Sequence, residues 1–249
     1  MSEIVLAQQF AGPPKSGNGG YVCGLLARGL KGPVTAVLRA PAFIGAPLKL
    51  TQFGDGLRLE TPEGDLVGEG RPADAEIPTP PAPPSWAAAE AAAKGFPGLH
   101  RPFHPVCFCC GDQMAEGYGL RVFTGQVEGA PAGHVAGTWI PHEAFADADG
   151  LVPLEVVWAA LDCPGSVAWV VTEGGGGLLG TMTCEVLRRP HVGERLIVTA
   201  WPIEQQGRRR LSGTALFTET GELLARSHQV WIGRAPQTEG AGMASASAG

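Results

Sequence analysis

The chain has 249 residues, 44% of them hydrophobic, and a chain of this length buries roughly 70–75% of its unfolded surface, enough for one large core or two ordinary ones. Its formal charge of −6 argues against a nucleic-acid or anionic-membrane surface, and the one basic cluster, Arg208-Arg209-Arg210, reads as a solvated strand start. No apolar run is expected to reach the roughly 20 residues of a membrane helix. Met1-Ser-Glu-Ile-Val also lacks the start of a signal peptide, so the expected setting is cytoplasmic, with no nucleic-acid and no membrane partner.

Glu3 to Phe10 reads as a first strand. The run Gly12-Pro-Pro-Lys-Ser-Gly-Asn-Gly-Gly20 is too rich in glycine and proline for strand or helix, and leads to a helix start that Ser16 or Asn18 can cap. Val22, Leu25, Leu26 and Leu30 give Tyr21 to Leu30 helical periodicity before Gly32-Pro33 stops it. A helix opened by bare glycine backbone, here Gly19-Gly20, offers unpaired N–H groups to an anion or a carbonyl oxygen. From Val34 the pattern becomes short β runs: Val34 to Leu38, Pro47 to Phe53, Leu57 to Glu60 and Leu66 to Glu69. A strand, a helix and about four antiparallel strands make an α+β unit over residues 1–71.

Residues 72–103 read as a linker, with a proline-rich extended stretch at 77–84 and a short alanine-rich helix from Trp86 to Lys94. Then comes His104-Pro-Val-Cys107-Phe-Cys109-Cys110-Gly. Cys107 and Cys110 have the C-x2-C spacing of a zinc knuckle, with His100 or His104 as further ligands. No second cysteine pair follows, so the spacing alone assigns no metal. The six cysteines are expected as reduced thiols.

The second unit, residues 104–235, repeats the order of the first. Val135 to Ile140 is a strand, and Leu154 to Asp162 a helix on whose one face Leu154, Val157, Trp158 and Leu161 recur. Strands follow at Leu178 to Arg188, Arg195 to Ile203, Arg209 to Thr218 and Leu223 to Ile232. Pro164 is expected to end or kink the helix just past Asp162, leaving its carboxylate in the last turn beside Trp158. There it is either a helix-end residue or a general base. Gly45-Ala-Pro-Leu-Lys-Leu50 matches Gly193-Glu-Arg-Leu-Ile-Val198, and Glu63-Gly64-Asp-Leu-Val-Gly68 matches Thr220-Gly221-Glu-Leu-Leu-Ala225. The two glycines are 19 residues apart in the first unit and 28 in the second. Two related units in one chain are the signature of a fused pseudo-dimer. Residues 236–249 form a low-complexity tail, expected to be disordered.

A strand, a helix and a wrapping antiparallel sheet, given twice, resembles the double hotdog fold. Arg189-Pro-His-Val-Gly-Glu-Arg-Leu-Ile-Val198 and Gly221-Glu-Leu-Leu-Ala-Arg-Ser227 look like the hairpin pattern of hotdog acyl-CoA thioesterases, and the thioesterase II type is the most similar. The resemblance implies hydrolysis of an acyl-CoA or acyl-carrier thioester without a cofactor. It implies Asp162 as the catalytic carboxylate, matched through Ala159-Ala-Leu-Asp162, and Gln229 through Ala225-Arg-Ser-His-Gln229. It also implies a threonine, Thr181 or else Thr183, and a Gly19-Gly20 pair opening the first helix. Trp158 is the aromatic candidate at the substrate.

In that reading Asp162 takes a proton from water held by Gln229 and the threonine, and glycine N–H groups stabilise the oxyanion. Placing Gly19-Gly20 over Leu154-Glu155 puts Ala27 opposite Asp162, so one site per chain is expected. Two rivals remain. One is a hydratase or dehydratase using His142 or His228, and the other is a non-catalytic acyl-CoA-binding protein. Exposed sheet edges lead us to expect a homo-oligomer.

Overall fold

A computed structural model describes residues 2–74, 77–101, 103–173 and 175–233. The expected tail lies outside the described residues. Among them, eleven strands form a single antiparallel sheet in the order β1-β3-β4-β5-β2-β8-β11-β10-β9-β7-β6. The first five are β1 (Ser2–Val5), β2 (Val34–Leu38), β3 (Pro47–Phe53), β4 (Gly56–Glu60) and β5 (Leu66–Pro72). The others are β6 (Gly125–Gln126), β7 (Val135–Trp139), β8 (Leu178–Val186), β9 (Leu196–Gln206), β10 (Arg209–Thr218) and β11 (Leu223–Ile232). Three α-helices accompany them: α1 (Gly19–Leu26), α2 (Trp86–Ala93) and α3 (Leu154–Glu173).

The order is nearly symmetric about the β2–β8 pair, where Val34 faces Cys184 and Val37 faces Thr181. Outward from that seam run β5, β4, β3 and β1 on one side and β11, β10, β9 and β7 on the other. The sequence repeat has a backbone counterpart. Gly45 and Gly193 turn into β3 and β9 with φ of 74° and 79°, and Gly64 and Gly221 turn between the next two strands with φ of 96° and 91°. Glycine reaches these left-handed values without the Cβ clash that other residues meet. β9 and β10, of 11 and 10 residues, are together nine residues longer than β3 and β4, of 7 and 5, which accounts for the unequal glycine spacing. β1 is shorter than expected: it stops at Val5, and Gln8–Phe10 forms a 3-10 turn instead.

α1 and α3 are inside. Every residue of α1 from Gly20 to Leu26 is buried, as is α3 from Val156 to Asp162. They meet through glycine. A Cβ at Gly24 would lie 2.4 Å from Glu155 Cα, and one at Gly20 would lie 2.6 Å from Trp158 O. Trp158, 2% exposed, fills the space between the helices.

α3 does not stop at Pro164. It runs on to Glu173, and the expected break is wrong because other elements satisfy the carbonyls that the proline disturbs. Pro164 has no N–H for Ala160 O, and Cys109 Sγ donates to that oxygen at 3.9 Å. One residue on, Gln229 Nε2 donates to Leu161 O at 2.7 Å, and Ser212 Oγ donates to Gly165 O at 2.7 Å. At 20 residues and mean hydropathy 1.4, α3 is long and apolar enough to cross a membrane, contrary to the expectation that no run reaches that length. With 67% of its most apolar 18 residues buried inside the fold, it has the character of a core helix.

Candidate active site

The site forms where the first turn of α1 meets the middle of α3. Asn18, 1% exposed, caps α1: its Oδ1 accepts from Tyr21 N–H at 2.9 Å. This fixes the amide so that Nδ2 points the other way, where it donates to Asp162 Oδ2 at 2.7 Å. The backbone N–H of Gly20 is a second donor to the same carboxylate. Only glycine allows that approach, since a Cβ at Gly20 would also lie 2.7 Å from Asp162 Cβ.

Asp162 is 3% exposed, and its other oxygen, Oδ1, has no hydrogen-bond partner. Burial pushes the carboxyl up to about 7. The hydrogen bond from Gly20 opposes that shift, negative charge at Cys107 adds to it, and the bond from Asn18 opposes it again. A buried carboxylate oxygen without a partner is costly unless something polar occupies the space before it. Asp162 borders a cavity of about 260 Å³, whose other walls include Gly19, Val22, Leu38, Cys107 and Leu179. A buried acid that ionises near neutrality, beside a cavity, is equipped to accept a proton.

The expected residues divide into two groups. Gly19, Gly20 and Asp162 come together. Gln229, Thr181 and Trp158 are not among the side chains that line the cavity. Gln229 is fully buried and bonded elsewhere. Its Nε2 holds Leu161 O and lies 3.2 Å from Ser227 Oγ, while its Oε1 accepts from Trp231 Nε1 at 2.8 Å. It supports the proline-disturbed turn of α3, and a Cβ at Gly165 would collide with its Oε1. Met182 and Cys184 are the fully buried residues of β8, so Thr181 and Thr183 occupy the other face, where Thr183 Oγ1 lies 2.9 Å from Thr35 Oγ1. Trp158 serves the helix contact. His142 accepts from Ala144 N–H in a 3-10 turn and His228 lies on β11 opposite Thr183; neither lines the cavity.

Replacing Gln229 with Met keeps the volume but leaves Leu161 O and Trp231 Nε1 unpaired. A loss of about 2–4 kcal/mol is expected, read as a lower urea midpoint.

Sequence reasoning missed two groups. Asn18 was legible as a cap, but its bond to a carboxylate 144 residues away was not. The second is a gathering of thiols beside Asp162. Cys163 Sγ lies 3.6 Å from Cys107 Sγ, and Cys110 joins them. Hydrogen bonds from Cys110 and Cys163 hold the Cys107 thiol well below its usual range, and the same bonds push those two partners up. The search for a second close cysteine pair could not find Cys163, which reaches the cluster from α3.

No protein-family model matches the chain, and no curated protein matches it in sequence. Solved structures do match, and thioesterase II-type proteins are among them. The tesB protein of Mycobacterium avium subs paratuberculosis superposes with a TM-score of 0.60 at 15% identity, over 93% of this chain and 92% of that one. Acyl-CoA thioesterase II TesB2 from Mycobacterium marinum gives 0.57 at 16% identity, over 91% and 92%. The likeness at this identity is one of fold.

Proposed function

We propose that this chain is an acyl-CoA thioesterase of double hotdog architecture, in which Asp162 activates water and no acyl-enzyme forms. The observation that carries the reading is the Asp162 carboxylate itself. Asn18 fixes one oxygen, the Gly20 backbone N–H lies against the carboxylate, and Oδ1 is unpartnered beside a cavity in a group that ionises at about 7. The thioesterase names of the matched structures support the reaction class.

Water bonded to Asp162 Oδ1 attacks the thioester carbonyl carbon while the carboxylate takes its proton. The carbonyl oxygen becomes an oxyanion next to the start of α1, where the Gly19 N–H has no carbonyl of its own helix to meet. A donor in that position stabilises the transition state by about 3–4 kcal/mol. As the intermediate collapses, the C–S bond breaks and the thiolate takes the proton back from Asp162. Gln229 and Thr181 have no step in this scheme. Asn18 and Gly20 aim the carboxylate instead.

The two units, residues 1–71 and 104–235, are the two hotdogs, a division supported by the near-symmetric sheet order. Among the described residues the symmetry-related end offers no free carboxylate, because Glu155 at the start of α3 pairs with Arg28, next to Ala27. One site per chain follows. The short edge strands β1 and β6 are the places where a homo-oligomer would extend the sheet.

The position of Gln229 and Thr181 away from the cavity favours one second reading, a non-catalytic acyl-CoA binder. Thiol release from a panel of acyl-CoAs, short to long and aryl, separates the two. Turnover of one chain-length class is expected. Acyl-CoA that raises the melting temperature with no thiol released would transfer the protein to the binding class.

A further inference from the structure

Three of the six cysteines converge on one place, and hydrolysis uses none of them. The Sγ atoms of Cys107, Cys110 and Cys163 all lie within 4.8 Å of one another, and Cys109 sits between the first two in sequence. We propose that Cys107, Cys110 and Cys163 bind a zinc ion, with the fourth coordination position facing the cavity beside Asp162.

The local backbone is built for this. Gly111 N–H donates to Cys107 O at 2.8 Å, closing a turn so tight that a Cβ at Gly111 would lie 2.6 Å from both Cys107 N and Cys107 O. The turn presents the sulfurs of Cys107 and Cys110 together. Backbone N–H groups of Cys109 and Cys110 also donate to Cys107 Sγ, and Asn18 Nδ2 lies 3.8 Å from it. Donors that converge on a sulfur stabilise a thiolate, the form that ligates metal. Cys163 arrives from α3, on a different part of the chain.

The spacing agrees. Zn–S bonds of about 2.3 Å in a tetrahedron put sulfurs roughly 3.8 Å apart. The Cys107–Cys163 separation of 3.6 Å is already there. Three soft thiolates select zinc or copper(I) over magnesium or calcium, and a four-coordinate site fits zinc. Cys107 and Cys163 line the cavity whereas Cys110 does not, so an ion among them has its open side toward the cavity. Binding releases the protons that the free thiols carry. Isolated core cysteines behave differently, as Cys23 and Cys184 illustrate: both are fully buried and neither belongs to the cluster.

Metal content tests the proposal without reference to hydrolysis, so it stands or falls separately from the thioesterase reading. The full chain, purified untagged under reducing conditions, should carry one zinc per chain by elemental analysis. Chelation should lower the melting temperature and added zinc restore it. Cobalt(II) should replace zinc with thiolate-to-metal charge-transfer absorption and a tetrahedral d–d spectrum that shifts when a small thiol is added. Cys110→Ser and Cys163→Ser should lose the metal, and Cys184→Ser should keep it. The proposal is overturned by wild-type protein that takes up neither zinc nor cobalt with all six thiols free. A Cys107–Cys163 disulfide in the reduced preparation overturns it too, as does metal that survives Cys163→Ser. The wild-type titrations decide the matter even where a serine variant fails to fold.

Discussion

Asp162→Asn is expected to lower kcat/KM for thioester hydrolysis by about 10²- to 10⁴-fold, the usual contribution of a positioned general base. It should do so while making the protein more stable at neutral pH. The asparagine oxygen can still accept from Asn18, but the amide placed at the free position has no lone pair for a proton. Stability follows from linkage. The carboxyl ionises at about 7 in the folded chain, against 3.8 as the ordinary value. Below pH 3.8 both states hold the proton. Between the two values the native state keeps a proton that the unfolded chain has released, so stability falls as pH rises, and the cost is complete above about 7. A shift of this size corresponds to roughly 4 kcal/mol. The variant escapes that cost, so its melting temperature should exceed that of wild type above neutrality and converge with it in acid. Lost activity with gained stability separates a catalytic carboxylate from a structural one. A variant that is both inactive and destabilised would place Asp162 in the second class.

The second large effect is steric. Gly24→Ala puts a Cβ 2.4 Å from Glu155 Cα, and Gly20→Ala puts one 2.6 Å from Trp158 O. Both obstacles are backbone atoms of α3, which cannot rotate aside. The helices must part, and overpacking of this kind costs about 1–3 kcal/mol or more, which exceeds the ~1 kcal/mol that alanine gains over glycine within a helix. Both variants should show lower urea midpoints. Gly20→Ala should lose hydrolysis as well, because it moves the N–H that holds Asp162. Gly24→Ala, one turn away, should chiefly lose stability. An unchanged midpoint in both would mean that the helices are not in the contact described.

Much of the fold was legible because it rests on local rules applied twice. The hairpin glycines Gly45, Gly64, Gly193 and Gly221 mark turns that require positive φ, and both copies use them. β10 and β11 have the bounds that alternation predicts. The misreadings arise where tertiary partners replace local ones. Pro164 signals a helix end in any sequence, but here Cys109, Gln229 and Ser212 take over the carbonyls around it. Alternation along β8 divides its residues correctly without saying which half faces the helices. Met182 and Cys184 took that place, and Thr181 went to the other side. Asp162 stands out in the sequence because an acid on an apolar helix face is conspicuous, and the fold buries it beside the cavity. The contacts of Asn18 and Cys163 were not legible, since their partners lie 144 and 56 residues away and only folding brings them together.

The most direct test of the central claim is the pH dependence of kcat/KM for thiol release, measured on wild type with its best acyl-CoA. If Asp162 is the base that accepts the proton of water, the rate must fall tenfold per pH unit on the acid side, with a midpoint near the value of about 7 that burial gives this carboxyl. A profile that stays flat down to about pH 5, or an acid limb that persists unchanged in the residual activity of Asp162→Asn, would contradict the account.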